Sequence, residues 1–314
     1  MLPEFSNFLE ARIRIAPYIH VTPVLTSSAI NREAGCEIFF KCENFQKMGA
    51  FKMRGATNAI LLLSEAEKKS GVTTHSSGNF AQAVALAALT AGVKATVIMP
   101  RNATEVKKQA VRGYGAEIIE CEPTIAAREE ATNTFIRQTD AAFLHPYNNL
   151  NVIYGQGTAA MELLENEPGL EFLFVPVGGG GLISGTAAAA HYINPLIKVY
   201  GAEPYGADDA YWSLKKGEIQ PSIKPVTIAD GLLTSLGDIT FSIIKQLFTE
   251  IIRVEEKEII AAMKLVWERM KIIIEPSSAV PLAALLREKE RFRNKKVGII
   301  LSGGNVDLRN LPFQ

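Results

Sequence analysis

The sequence predicts an α/β protein with two domains, each containing a twisted parallel sheet flanked by helices. Short apolar, β-branched runs alternate with helical patterns along almost the whole chain. Strands that are continuously apolar are typical of parallel sheets buried on both faces. The predicted strands lie at 37–40, 71–76, 94–99, 116–120, 172–177, 197–201 and 297–301. Helical patterns lie at 79–91, 104–113, 124–138, 182–193 and 255–270.

The segment 71–148 contains compact strand–helix repeats with short loops. It indicates a small domain that is entered and left through a larger one, formed by 1–70 and 149–314. In open parallel sheets, ligands bind at the carboxyl ends of strands, where loops lead into helix N-termini. Candidate loops of this kind, rich in Gly, Ser and Asn, lie at 76–79, 178–182 and 302–305.

Composition narrows the class of partner. The 33 basic and 33 acidic side chains balance, so the net field favours neither nucleic acid nor an anionic membrane. No stretch approaches the roughly 20 apolar residues of a membrane span, and the N-terminus lacks the pattern of a signal peptide. The three cysteines form no C-x-x-C pair, which favours reduced thiols. We therefore expect a cytoplasmic protein that binds a small molecule.

Four consecutive glycines, Gly178, Gly179, Gly180 and Gly181, join a predicted strand to a predicted helix. Their unobstructed N–H groups, beside the positive end of a helix, suit a phosphate monoester. The alternative is a loop that needs glycine only for turn geometry. A dinucleotide site is disfavoured because the G-x-G-x-x-G spacing fails, with Ile183 at the last position counted from Gly178.

Ser76, Ser77, Gly78 and Asn79 precede a strongly helical stretch. Residues of these types are common at helix N-caps, which is sufficient to explain them. The functional alternative is a second anion site, in this case for a carboxylate. The residues alone leave both interpretations open.

The segment FQKMGAFKMRGA at 45–56 resembles the lysine motif of fold-type II pyridoxal-phosphate enzymes. Further motifs follow in that family's order over nearly the whole chain, and the likeness is greatest to serine racemases and serine–threonine dehydratases. The resemblance implies a fold similar to the tryptophan synthase β subunit. Its large domain would bind pyridoxal 5′-phosphate, and its small domain would close over the substrate. The motifs are TPVLTSS (22–28), SSGN (76–79), GQGT (155–158), GGGGL (178–182), GAEP (201–204), EPSSA (275–279) and SGGNVDL (302–308).

The resemblance also assigns roles at the cofactor. Lys52 would hold it as a Schiff base and, once displaced by substrate, would remove the α-proton as general base. Phe51 would pack against the cofactor ring, and Asn79 would reach its phenolic oxygen. The 178–181 loop would bind the phosphate, and Ser302 would contact the pyridine nitrogen. A hydroxyl partner makes the ring a weaker electron sink, which favours expulsion of a β-leaving group.

For the substrate, the resemblance implies that the 76–79 loop binds the carboxylate. Ser77 would face the substrate opposite Lys52, where a second acid–base group would permit racemisation; the alternative is a hydroxyl that only caps the helix or binds the carboxylate. Arg128 would close over the substrate, and its planar fork could hold the second carboxylate of 3-hydroxyaspartate. The alternative for Arg128 is a surface helix charge.

Glu203, Ala207 and Asp209 match the family's divalent-cation site, to which Ala207 contributes its carbonyl. Two carboxylates and a carbonyl suit a hard ion such as Mg²⁺ or Ca²⁺. Without the resemblance, solvated acidic side chains would be the expected interpretation. The four histidines show no ligand spacing, so no chemistry is assigned to them.

The sequence departs from the family pattern near the lysine. Phe80 stands where a histidine is usual, and Met48 and Ala50 replace small hydroxyl residues. We therefore do not expect activation by ATP. The chain also ends soon after the SGGNVDL motif, so we do not expect feedback by isoleucine through an appended domain.

The predicted activity is deamination of L-serine or L-threonine to a 2-oxo acid and ammonia, accompanied by serine racemisation. One alternative within the same chemistry is a 3-hydroxyaspartate dehydratase. Another, from a different class, is a non-catalytic pyridoxal-phosphate or amino-acid binding protein. The presence of Lys52, Ser77 and Ser302 together argues against the last. The relatives imply a homodimer.

Overall fold

The protein contains two sheets, and its computed structural model describes residues 2–247 and 250–313. The strands are β1 (Val24–Leu25), β2 (Glu37–Cys42), β3 (Val72–His75), β4 (Ala95–Pro100), β5 (Glu117–Cys121), β6 (Ala142–Phe143), β7 (Phe172–Pro176), β8 (Lys198–Pro204), β9 (Glu250–Val254) and β10 (Lys296–Leu301). The larger sheet has the order β1-β2-β10-β7-β8-β9, and the smaller has β5-β4-β3-β6. All neighbours pair in parallel except β1 and β2.

Helices cover both faces of the sheets. They are α1 (Phe5–Ile15), α2 (Ser28–Ala34), α3 (Lys52–Leu61), α4 (Glu65–Ser70), α5 (Asn79–Ala91), α6 (Glu105–Gly113), α7 (Ile125–Thr139), α8 (Leu150–Asn166), α9 (Gly181–Ile193), α10 (Asp209–Lys216), α11 (Asp238–Gln246), α12 (Glu256–Met270) and α13 (Pro276–Arg287). The predicted α/β class with parallel sheets is confirmed. No helix in the described ranges is long and apolar enough to cross a membrane.

Strand β10 shows why the apolar runs are continuous. Successive side chains of a strand point to opposite faces of its sheet. Ile299 packs in one apolar core and Ile300 in another, and both are fully buried. A strand covered on both faces therefore needs apolar residues at every position, as the prediction assumed.

The predicted helix at 79–91 coincides with α5. Gly92 ends it in the left-handed conformation, with φ 68°, as Gly35 ends α2 with φ 71°. All strands of the smaller sheet lie between residues 72 and 143. However, Met53 and Ile60 of α3 share an apolar core with Phe80 and Val84 of α5. The domain limits of 71 and 148 stay a prediction, because α3 packs with the smaller sheet's helices.

A buried ion network fixes α3 in place. The Arg54 guanidinium donates to both Glu43 carboxylate oxygens at 2.7 and 2.8 Å, and to both Glu162 oxygens at 2.7 and 2.8 Å. Lys41 of β2 donates to Glu162 at 2.6 Å. Because positive and negative groups balance and are hydrogen-bonded, burial of all four is tolerated. The network connects α3 to β2 and α8, and it holds the helix whose first residue is Lys52.

Candidate active site

Lys52 lies at the start of α3 with its side chain part-buried. Its Nζ atom donates to the carbonyl of Pro146 at 2.8 Å and lies 5.1 and 5.5 Å from the ring centroids of Phe51 and Phe80. Burial lowers the pKa of Lys52 to about 8, although the negative charge of Glu275 opposes the change. The neutral amine is therefore more populated near physiological pH than in an ordinary lysine.

Ser302 follows β10 and is buried beside α13. Its Oγ lies 3.0 Å from Ser278 Oγ, and Ser278 Oγ donates to the Gly303 carbonyl at 2.7 Å. Since the Ser278 proton is used in that bond, Ser302 is the donor within the serine pair. The backbone N–H of Phe51 donates to the Ser302 carbonyl at 3.0 Å, which joins the lysine segment to this loop.

The 178–181 loop connects β7 to the N-terminus of α9 and is buried throughout. A β-carbon on Gly179 would overlap the ring of Tyr147, and Gly180 has φ +87°, a conformation that favours glycine. Thr240 donates to the Gly179 carbonyl at 2.9 Å. Turn geometry and close packing thus both require glycine here. The open backbone N–H groups at a helix N-terminus also fit a phosphate, so the two interpretations are compatible.

The 76–79 loop follows β3 and leads into α5. Gly78 is the residue before the helix, and no side chain caps the helix start. The Ser77 hydroxyl forms no hydrogen bond with any group in the described part of the chain. The capping explanation for Ser77 is therefore not supported, and its hydroxyl is available for a ligand.

Asn79 is held from both ends of its side-chain amide. Its Nδ2 donates to the two carboxylate oxygens of Glu275 at 3.0 and 3.1 Å. Its Oδ1 accepts from Asn305 Nδ2 at 2.8 Å. The structure thus connects Asn79, on the smaller sheet's first helix, to the loop that carries Ser302.

Arg128 is partly exposed on α7. Within residues 2–247 and 250–313, its guanidinium forms no hydrogen bond or ion pair. Burial, and then the positive charge of Arg128, lower the pKa of His75, the last residue of β3. An unpartnered cation near the end of β3 suits an anionic ligand.

Two residues that the sequence analysis did not select lie in this region. His145 Nδ1 accepts the backbone N–H of Asn148 at 2.9 Å, and burial, His75 and Lys52 lower the pKa of His145 to about 4. Tyr147 packs against the glycine loop. Both follow β6, so the same rule about carboxyl ends of parallel strands could have selected them.

The predicted cation ligands lie in β8, in the loop after it and at the first residue of α10. Both Glu203 oxygens accept backbone N–H groups, from Ala210 at 3.1 Å and Tyr211 at 2.8 Å. Asp209 is buried, and neither of its carboxylate oxygens forms a hydrogen bond of ordinary length and angle among the described residues, although Ser222 and the Leu236 N–H act to lower its pKa. Burial and the charge of Asp209 raise the pKa of Glu203 well above its usual value. Ala207 is buried in the same loop.

Comparison with known proteins agrees with this geometry. The family model for "Pyridoxal-phosphate dependent enzyme" matches residues 15–303. The chain therefore belongs to that family, and pyridoxal phosphate is its cofactor. It is 56% identical over 310 residues to the serine racemase of Dictyostelium discoideum, covering 98% of this chain and 96% of that protein.

Two further relatives extend the range of activities. The β-hydroxyaspartate dehydratase of Paracoccus denitrificans is 48% identical over 312 residues, or 99% of each chain. The structure of maize serine racemase has a TM-score of 0.96 at 45% identity, covering 98% of this chain and 95% of that one. The predicted resemblance to fold-type II enzymes is confirmed, whereas the roles of individual residues stay predictions.

Proposed function

We propose that this protein is a pyridoxal-phosphate-dependent ammonia-lyase of L-serine and L-threonine that also racemises serine. The observation that carries the proposal is the position of the part-buried Lys52 amine. It is hydrogen-bonded to the Pro146 carbonyl and lies near the rings of Phe51 and Phe80. The Phe51 N–H, just before Lys52, is hydrogen-bonded to the Ser302 carbonyl. The relatives named above are serine racemases and a hydroxyaspartate dehydratase, which supports this chemistry.

The residues present fit the cofactor. Lys52 would bind it covalently, Phe51 would support its ring, and Asn79 and Ser302 would contact the polar atoms of that ring. The 178–181 loop would hold the phosphate, since its backbone N–H groups lie at the N-terminus of α9 and its residues carry no side chains. When bound, pyridoxal phosphate supplies a ring that withdraws electrons from the α-carbon.

Lys52 and Ser77 would divide the proton transfers. With its pKa lowered to about 8, Lys52 can accept the substrate α-proton at neutral pH. Ser77 would exchange a proton on the other side of the α-carbon, and its hydroxyl has no competing bond within the described residues. Within the 76–79 loop, the Ser76 N–H donates to the Ile98 carbonyl and the Gly78 N–H to Ser76 Oγ. The N–H groups of Ser77 and Asn79 would therefore orient the carboxylate. Elimination needs Lys52 only, whereas racemisation needs both side chains.

The first experiment traps the cofactor. Borohydride reduction of the purified yellow protein is expected to fix pyridoxal phosphate on Lys52, detected by peptide mass spectrometry. The second measures keto-acid release from serine, threonine and 3-hydroxyaspartate in both enantiomers. A protein that binds cofactor but releases no keto acid from any of them is the non-catalytic binding protein instead.

The role of Ser77 has its own test. Ser77→Ala is expected to suppress D-serine formation by at least about tenfold while sparing elimination from L-serine, since it removes only one acid–base group. Ser6→Ala, at an exposed serine of α1 outside the site, is the control. Equal loss of both activities in Ser77→Ala contradicts the two-sided assignment.

A second candidate function is dehydration of 3-hydroxyaspartate. It is favoured by the unpartnered Arg128 guanidinium near His75, which could bind a second carboxylate. Arg128→Lys is then expected to raise the KM for 3-hydroxyaspartate at least about tenfold, because lysine cannot form the bidentate pair. The KM for serine is expected to change little; equal changes for both substrates exclude this role.

We also propose that Glu203, Asp209 and the Ala207 carbonyl bind Mg²⁺ or Ca²⁺. The buried, unpartnered oxygens of Asp209 support this, because a buried carboxylate requires a compensating partner. In the described ranges no group of three or more His, Cys, Asp and Glu forms a metal cluster, so the site would depend on carbonyls and water. Isothermal titration with each ion tests it.

A homodimer in the cytoplasm completes the proposal. The three cysteines are unpaired and buried, which is typical of proteins in a reducing compartment. The dimer rests on the resemblance to serine racemases. Sedimentation velocity at micromolar concentration tests the oligomeric state, and fractionation of the source cells tests the compartment.

A further inference from the structure

Glu275 is a buried acid that the proposed mechanism does not use. It lies immediately before α13 and is 4% exposed. Its backbone N–H donates to the Gly303 carbonyl at 3.0 Å, next to Ser302. Its carboxylate reaches across to the smaller sheet's helix α5, where both oxygens accept from Asn79 Nδ2. The side chain thus bridges the two sides of the site.

The surroundings of this carboxylate contain amide donors but no cation within ion-pair distance among the described residues. Burial raises the pKa of Glu275 to about 7, and Asn79 opposes the change. Gly303, which accepts from the Glu275 N–H, pairs with Ala50, two residues before Lys52. The charge of Glu275 opposes the lowering of the Lys52 pKa, and the charges of Lys107 and Asp230 act on Glu275. A buried acid without a cation is costly, so its presence here calls for a compensating benefit.

The hydrogen bonds of Asn79 indicate that benefit. An amide side chain can turn over, exchanging its oxygen and nitrogen, unless its partners distinguish them. An ionised Glu275 carboxylate has no proton to donate, so it can face only the Asn79 nitrogen. Asn305 Nδ2 donates to the Asn79 oxygen, and it also donates to the Met48 carbonyl at 2.9 Å. Both partners therefore fix the same orientation, with the nitrogen toward Glu275.

We infer that Glu275 is a positioning residue for the cofactor: it holds the Asn79 amide so that one N–H faces the phenolic oxygen, and it places a negative charge near the Lys52 nitrogen. The inference rests on the proposed roles of Asn79 and Lys52. The hydrogen bond and the charge are separable, because different substitutions remove each one.

Two substitutions separate the contributions. Glu275→Asp keeps the charge but is one methylene too short to hold Asn79, so cofactor affinity is expected to fall about tenfold, as for loss of one charge-assisted hydrogen bond. Glu275→Gln keeps an acceptor for Asn79 but removes the charge. It is expected to lower, by about one pH unit, the pH midpoint of the visible absorption change of the bound cofactor, because the nearby anion favours protonation of the Lys52 nitrogen.

Cofactor dissociation constants and absorption titrations are measured without substrate, on holoenzyme and on protein reconstituted with pyridoxal phosphate. Glu255→Gln is the matched control, since Glu255 occupies the same position before α12 and is exposed. It is expected to match the parent protein in both measurements. Asn305→Ala tests the other anchor without altering Glu275 and is expected to weaken cofactor binding about as much as Glu275→Asp.

The inference is overturned if Glu275→Asp and Asn305→Ala both bind cofactor as the parent does, or if Glu275→Gln leaves the titration midpoint unchanged. If the Glu275 variants do not fold, the Asn305→Ala result decides. Failure of the proposed function is distinguished by the borohydride experiment on the parent protein. If no cofactor is trapped on Lys52, the function fails first, whereas trapping with unchanged variants refutes only the positioning role.

Discussion

Replacing Lys52 by methionine is expected to stabilise the cofactor-free protein at pH 7. Burial lowers the pKa of Lys52 from its ordinary 10.5 to about 8, which measures how strongly the folded site disfavours the ammonium form. At about 1.4 kcal/mol for each pH unit, the penalty is on the order of 3 kcal/mol. Methionine removes the charge with little change in length, but it also loses the hydrogen bond to Pro146, which contributes about 1 kcal/mol. The net gain is about 2 kcal/mol.

The free energy of unfolding of the parent protein is expected to change with pH in one direction. Because the pKa of Lys52 is lower in the folded protein, the unfolded chain binds more protons between pH 8 and 10.5. The parent protein should therefore gain stability as pH rises through that interval. The advantage of Lys52→Met is largest below pH 8 and decreases steadily above it. Urea unfolding at several pH values between 7 and 10 measures the difference.

Lys69→Met is the matched control, because Lys69 is exposed on α4 and its loss should change the free energy of unfolding by less than about 0.5 kcal/mol. A Lys52→Met protein that is less stable than the parent at pH 7 refutes the reasoning. So does a difference between the two proteins that stays constant across the pH range. Either result would mean that the enclosure of the amine does not disfavour its charge.

Other substitutions test the supports of the site. Gly179→Ala is expected to cost about 1–3 kcal/mol and to weaken cofactor binding, since its β-carbon would displace Tyr147; thermal melts and cofactor titration measure both. Arg54→Met should lower the free energy of unfolding by about 3–5 kcal/mol, because it leaves buried carboxylates uncompensated. Arg12→Met removes an exposed ion pair and should lower it by under about 1 kcal/mol; urea unfolding measures both. Chelator should lower the melting temperature of the parent but not of Asp209→Asn, and an equal decrease in both would exclude this cation site.

The fold was readable from sequence because its signals are local. The helix at 79–91 follows from an apolar pattern between a small polar loop and Gly92, and the structure reproduces both limits. The same holds for the four glycines between β7 and α9. Each of these features is decided by residues within one strand, loop or helix, where periodicity and turn chemistry act.

The contacts that complete the site were not readable, because each joins distant parts of the chain. Asn79 and Glu275 are 196 positions apart, and Arg54 and Glu162 are 108 apart. Composition shows only that a charged residue stands in an apolar segment, and nothing local identifies its partner. The rule about carboxyl ends of parallel strands could have selected Tyr147, but its close contact with Gly179 depends on how distant segments pack and was not readable.

These long-range contacts join the smaller sheet's helices to the larger sheet's side of the site. Asn79 lies on the smaller sheet's helix α5, while Glu275 and Asn305 belong to the larger sheet's side of the site. Lys107 of α6, also on the smaller sheet's side, forms an ion pair with Asp230 at 2.6 Å, but both side chains are partly exposed. An exposed pair contributes little and is weakened by salt, whereas the Asn79 bonds are part-buried and end on the buried Glu275 carboxylate. The orientation of the cofactor contacts and the closure of the site would therefore depend on the same buried carboxylate, and Glu275→Asp should loosen both.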